Sequence, residues 1–278
     1  VKTHGGKSDH ECGGAGTLLW HDTFTDEDIL VVNNHYMCSA LTSSIQYSKL
    51  DDLHRGVDSF RTWIFDKSID DHDHNFSEVE LSGGAQLAIY RRNIDLFTQT
   101  AHIGASGGDK SGIFHIGPFQ DLSIELPLES PELQFGLHIY PDGNVQMQKM
   151  FYVFNTTLEL EGHISGVDDL IIGRDGVVVI RKEKDSSSYQ VSFSKVVVQG
   201  GGRLVLESNG DGALVLSGTE IEVESGGSIE ADSAIFEVDQ FVIHQAAVVQ
   251  ANGKSGRQSF EPGTGVGLRG SGAGHGGQ

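Results

Sequence analysis

Apolar and polar residues alternate in short runs over the last two-thirds of this chain, and a tight Gly or Asp-Gly corner separates one run from the next. The pattern reads Val79–Leu81, Gly83–Gly84, Leu87–Ile89; Ile139, Asp142–Gly143, Val145–Met147; and Leu170–Ile172, Asp175–Gly176, Val178–Ile180. It returns as Val196–Val198, Gly200–Gly202, Leu204–Leu206 and as Ile221–Val223, Gly226–Gly227, Ile229–Ala231. A worn copy, Phe241–Ile243 with Ala246–Ala247 at its corner, ends the series. A period of two residues marks half-buried strands. In IEVESGGSIEA it places Ile221, Val223, Ile229 and Ala231 inside and Glu222, Glu224 and Glu230 in water.

The first apolar residues after successive corners are Leu87, Phe114, Val145, Val178, Leu204, Ile229 and Val248. Their spacing runs from 19 (Ile229 to Val248) to 33 (Val145 to Val178). One coil of three short strands and three corners needs roughly 18 to 25 residues, so the longer intervals carry inserted corner loops. Third strands are predicted at Ala213–Leu216 and Ile235–Val238. The expected fold is all-β: a single-stranded parallel β-helix (β-solenoid), three-sided, and right-handed by the crossover rule. An antiparallel sandwich also spaces short strands regularly, but runs this short are better held by neighbours above and below. Leu204, Leu206, Ile221, Val223 and Ile229 are the predicted core, with Gly226–Gly227 at a corner. Residues 1–251 are expected to form the β-helix, less regularly over 1–66, and 252–278 a glycine-rich connector or tail. Leu41–His54 is the one helix candidate, and an inserted loop fits its Ser/Thr content as well.

The formal charge is −20, from 19 basic and 39 acidic residues. That excludes a basic footprint for nucleic acid and disfavours anionic lipid surfaces. An acidic shell instead keeps a strand-rich chain soluble and discourages edge pairing. It would gather Ca²⁺ loosely, although no D-x-[DN]-x-[DN]-G loop occurs. No run approaches the eighteen or so apolar residues of a membrane span, so no membrane insertion is expected. The chain opens on Val1 without a charged-then-apolar leader; either a leader has been removed or this is a piece of a longer protein. Asn75-Phe76-Ser77 and Asn155-Thr156-Thr157 are glycan-acceptor sequons. Cys12 and Cys38 are expected to pair in an oxidising compartment, with two buried thiols as the alternative.

Candidate chemistry is sparse. Gly104–Gly108 fits G-x-S-x-G, but a strand rather than a helix is predicted after it, so a glycine-rich corner is expected despite nearby His102. Gly253-Lys254-Ser255 lacks the upstream glycine of a phosphate loop, since Val248 stands there. Of the polygalacturonase-type signatures, Asn155-Thr156-Thr157 lacks its aspartate, Asp168–Asp169 are adjacent and face opposite sides of a strand, and Gly274-His275-Gly276 lies far downstream. No stripe of calcium-binding aspartates with a basic residue, as in pectate-type lyases, is visible. Asp71, His72, Asp73 and His74 offer carboxylate and imidazole ligands, yet a solvated corner loop is the better reading. No catalytic residue, cofactor or resident metal is expected. Thr25–Asp28 reads as an acidic turn, and Trp20, Trp63 and Phe151–Phe154 as core or loop anchors rather than sugar platforms.

The two ends add a resemblance. CGGAGTLLWHD at Cys12–Asp22, ILVVNN at Ile29–Asn34 and GTGVGLRGSGAGHGGQ at Gly263–Gln278 stand out, with Gly14–Thr17, Leu30–Asn34 and Gly272–Gly277 as matching segments. In these the chain resembles the β-helical repeating unit of giant secreted or cell-surface eukaryotic proteins, adhesin-like or filament-forming. The resemblance implies an extracellular or cell-surface structural or adhesive module, a stiff spacer or assembly unit. Its partners would be copies of itself or further modules of the same large protein, end to end, and extracellular glycans. The alternative is a carbohydrate-binding or polysaccharide-cleaving β-helix protein.

Overall fold

A computed structural model of the chain describes residues 16–22, 27–33, 61–64, 73–89, 99–117, 120–126, 131–147, 149–182, 188–208, 212 and 214–251. Over these described residues the secondary structure is all β, a solenoid of parallel stacked sheets with about six turns. The chain divides into two compact units, residues 1–148 with 162–166 and residues 149–161 with 167–278.

The first unit opens with β1 (Gly16–Asp22), antiparallel to β2 (Glu27–Asn33) with Trp20 opposite Ile29. The acidic segment Thr25–Asp28 is therefore turn only in part, because β2 starts at Glu27. From β2 the chain coils through three sheets in turn. The first coil adds β3 (Arg61–Ile64) and β4 (Asp73–Phe76). The second is β5 (Glu78–Ser82), β6 (Gln86–Ile89) and β7 (Gln99–Ile103). The third is β8 (Ser106–Gly108), β9 (Ile113–Ile116) and β10 (Gln120–Ile124). After these come β11 (Gly136–Ile139) and β12 (Asn144–Gln146). The chain then makes β13 (Met150–Val153) and β14 (Thr157–Leu160) of the second unit before β15 (His163–Ser165) joins β12.

Parallel register stacks like on like. Leu87, Phe114 and Leu137 follow one another across β6, β9 and β11, and Leu30 and Val79 across β2 and β5. All are buried, as alternation requires of inward positions. Phe135 enters between strands and meets Phe114 edge-on at 6.2 Å. The corner at Gly83–Gly84 has φ of 65° and 71°, and its two amides donate to Asp109 Oδ2 (2.9 Å) and Ser111 Oγ (2.7 Å) of the next coil.

The second unit continues with β16 (Asp169–Ile172), β17 (Val177–Arg181), β18 (Tyr189–Ser192), β19 (Lys195–Val198) and β20 (Arg203–Glu207). It ends with β21 (Leu214–Val223), β22 (Ser228–Ala231), β23 (Ala234–Ile243) and β24 (Val248–Ala251). One sheet runs β14–β17–β20–β22–β24, with Leu158, Val178, Leu204, Ile229 and Val249 in register. Another runs β13–β16–β19–β21–β23, with Phe151, Leu170, Val196, Ile221 and Phe241 in register. The predicted core residues Leu204, Leu206, Ile221, Val223 and Ile229 are all buried.

Strand β21 turns a corner without ending. Residues 214–217 pair with β18 and residues 220–223 with β19. The buried positions change from even (Leu214, Leu216) to odd (Ile221, Val223) across Gly218. A Cβ at Gly218 would lie 1.8 Å from the Phe193 carbonyl oxygen, so only glycine lets the coils approach here. Strand β23 repeats this path along β21.

The segments holding Cys12, Cys38, Leu41–His54, Gly253–Ser255 and Gly263–Gln278 lie outside the described residues.

Candidate functional site

Short strands in parallel register bring outward side chains into columns about 4.8 Å apart, and in the second unit these columns hold charge. Arg181 and Glu207 are register partners on successive coils, and Glu161 directly follows Leu160, the partner of Ile180. The Arg181 guanidinium donates to Glu207 Oε2 (2.6 Å), Glu161 Oε1 (2.9 Å) and Glu159 Oε2 (3.0 Å). Burial alone would lower the Arg181 pKa. The Glu207 hydrogen bond, the Glu159 charge and the Glu161 hydrogen bond override it and hold the guanidinium above its ordinary value. Burial, with the charge of Glu161, pushes the Tyr189 hydroxyl up.

A second column joins Lys195 to Glu220 (3.3 Å) and Glu222 (3.1 Å), and Glu222 in turn to His244 Nε2 (2.9 Å). The His244 hydrogen bond and then Lys195 hold the Glu222 carboxyl below its ordinary value. Arg203 grips Glu230 of the next coil through two bonds of 2.8 Å. Such pairs fix one coil over the next, and each is worth little on an exposed face.

In the first unit, His115 is buried despite its outward register, with Nε2 3.1 Å from Gln86 Oε1 and Nδ1 3.2 Å from the Tyr140 hydroxyl. A neutral ring that donates from Nε2 to Gln86 and accepts at Nδ1 from Tyr140 satisfies both contacts. His138 stacks on Tyr140 with centroids 3.9 Å apart. Alternation alone does not mark these residues as a cluster; the F-H-I and L-H-I-Y runs are their local signal in the sequence.

Asn75 is exposed on β4, and the hydroxyl of Ser77 in its sequon donates to the Asp28 carbonyl at 3.0 Å. Asn155 is exposed at a corner of the second unit with φ of 51°. Asp73 and His74 lie on β4 opposite Thr100 and Ala101, while Asp71 and His72 lie outside the described residues. Ser106 sits in line with buried Val79, its Oγ enclosed, whereas His102 lies on another sheet with Nε2 3.8 Å from Glu125. Of the G-x-S-x-G segment, Gly104 and Ala105 form the corner and Ser106–Gly108 are strand, β8; the structure does not join its serine to that histidine. Phe151 and Val153 are core, while Tyr152 and Phe154 face outward, stacked at 5.5 Å.

The remaining feature is the last coil. Its Ile235, Phe241, Val242, Ile243, Val248 and Val249 are exposed, although Phe241, Ile243 and Val249 continue columns that are buried in every earlier coil of the unit. No family model, no curated protein and no solved structure matches this chain.

Proposed function

We propose that this chain is an extracellular structural or adhesive module, a stiff spacer or assembly unit built by stacking coils. The observation that carries the reading is the state of its outward groups. In the second unit charged side chains are engaged with neighbours on adjacent coils, while the last described coil exposes apolar positions. Side chains spent on tying coil to coil make a rod resist bending, and the surface left for partners is then the end. Exposed sequon asparagines at Asn75 and Asn155 suit a chain that carries glycans outside the cell.

Electron microscopy of the native material, with glycan mass analysis on the same sample, tests the reading. Rods or strings carrying sugar at Asn75 or Asn155 are expected. Isolated particles without sugar would overturn it.

Binding of extracellular glycans is a second reading. It is favoured by the polar outward row Asn75, His102, Ser123, Gln146 and Ser165 on the β4–β7–β10–β12–β15 sheet. A polysaccharide-binding screen separates it from the first.

A further inference from the structure

Strand β23 is the outermost strand of its sheet among the described residues, pairing β21 on one side. Its ten residues, Ala-Ile-Phe-Glu-Val-Asp-Gln-Phe-Val-Ile, mirror one another in type about the Val238–Asp239 step, with Ala against Ile, Ile against Val, Phe against Phe and Glu against Gln; only across the step itself does the type change, from valine to aspartate. That step is also the corner, because Val238 aligns with Gly218, where the inward positions of β21 change from even to odd. By register with β21, Ala234 and Phe236 face inward before the corner, and Phe241 and Ile243 after it. The inward–outward pattern is therefore symmetric about the corner, as the residue types are.

A strand symmetric in this way is complementary to itself when turned end for end. We propose that the last coil is a self-association surface, at which β23 pairs antiparallel with β23 of a second copy about a two-fold axis through the Val238–Asp239 corner. The register sets Ala234 against Ile243 of the second copy, Ile235 against Val242, Phe236 against Phe241, and Glu237 against Gln240. Every inward residue meets an inward one. Phe236 and Phe241, already packed at 5.2 Å within one chain, form a four-ring cluster with their counterparts. Glu237 faces an amide rather than a second carboxylate, so no acid opposes an acid along the strand. An isologous contact of this kind needs one patch that matches itself, and an open parallel sheet supplies the unpaired backbone edge.

Two other occupants fit less well. The segment 252–278 carries apolar residues only at Phe260, Val266, Leu268 and Ala273, so it has a single alternating triplet, Val266–Leu268, where each coil of the second unit has two or three. A foreign strand would have no reason to match a pattern symmetric about this corner. The inference deepens the assembly part of the function proposed above and rests on it only for its biological setting.

Sedimentation of the full chain over a range of concentration and salt is the first test. A dimer is expected that tightens as salt rises, since each copy carries a formal charge of −20 and the attraction is apolar. Cysteine trapping fixes the register. Ile235→Cys alone and Val242→Cys alone should give no cross-link beyond that of the unaltered chain. The two variants mixed should give a 235–242 disulfide between chains. Phe241→Asp should weaken association about tenfold or more, with the trapping result standing even if that variant loosens the coil. A monomer at every concentration overturns the proposal, whether 252–278 or something else covers the end. Association without the 235–242 cross-link, or self-cross-linking of either single variant, overturns it as well. The two proposals fail separately: a dimer with an unglycosylated, intracellular native form would sink only the extracellular role.

Discussion

A corner residue in this protein does two things: it bends the chain from one sheet to the next within a few atoms, and it donates its amide to the coil stacked on it. In the second unit Asp175, Gly201, Gly226 and Ala246 all take left-handed φ, of 55°, 82°, 81° and 64°. They are linked by amide-to-carbonyl bonds of 3.1, 2.9 and 3.2 Å from each to the next. Glycine accepts that backbone freely, whereas alanine in it is strained. Ala246→Gly should therefore stabilise the chain by about 1 kcal/mol, read as a shifted midpoint in urea. The sequence marked this corner as worn, and the geometry keeps it left-handed all the same. Neighbouring coils impose the turn even where the residue resists it.

At the scale of a strand, alternation decides which side chains are inside, and cross-coil pairing decides how the outside is held. Val223→Asp tests the first. It places a carboxylate at a fully buried position of an apolar column, which should cost about 3–5 kcal/mol and strip amide protection from β19 through β24. Unchanged protease resistance would count against the fold. Glu222→Gln tests the second. His244 and Lys195 depress the Glu222 pKa in the folded state. Its contribution is thus present above the ordinary carboxylate value of about 4.3 and lost as pH falls through the lower, folded value. The variant should be slightly less stable than the natural chain at neutral pH and should converge with it in acid. Parallel curves at all pH values would deny Glu222 that role.

At the scale of the whole molecule, the core was legible because a two-residue period is a local signal. Leu204, Leu206, Ile221, Val223 and Ile229 are buried as the alternation requires, and the corners fall at the glycines and Asp-Gly steps that mark them. The partners of the outward residues were not legible. Arg181 meets Glu159, Glu161 and Glu207 because coils of differing length arrive in one register. His115 is buried through Gln86 and Tyr140, residues far from it in sequence. The G-x-S-x-G match likewise said nothing of where its serine would sit, which only the register of β8 against β5 decides. The chain by itself thus determined the coil, its inward face and its acidic charge, because these follow from periodicity and composition. Only the tertiary structure decided which coil is stacked on which residue by residue, and that the last described coil exposes the apolar positions that earlier coils bury. Cross-coil register depends on the lengths of inserted loops and on contacts between distant segments, and neither is encoded in a short-range pattern.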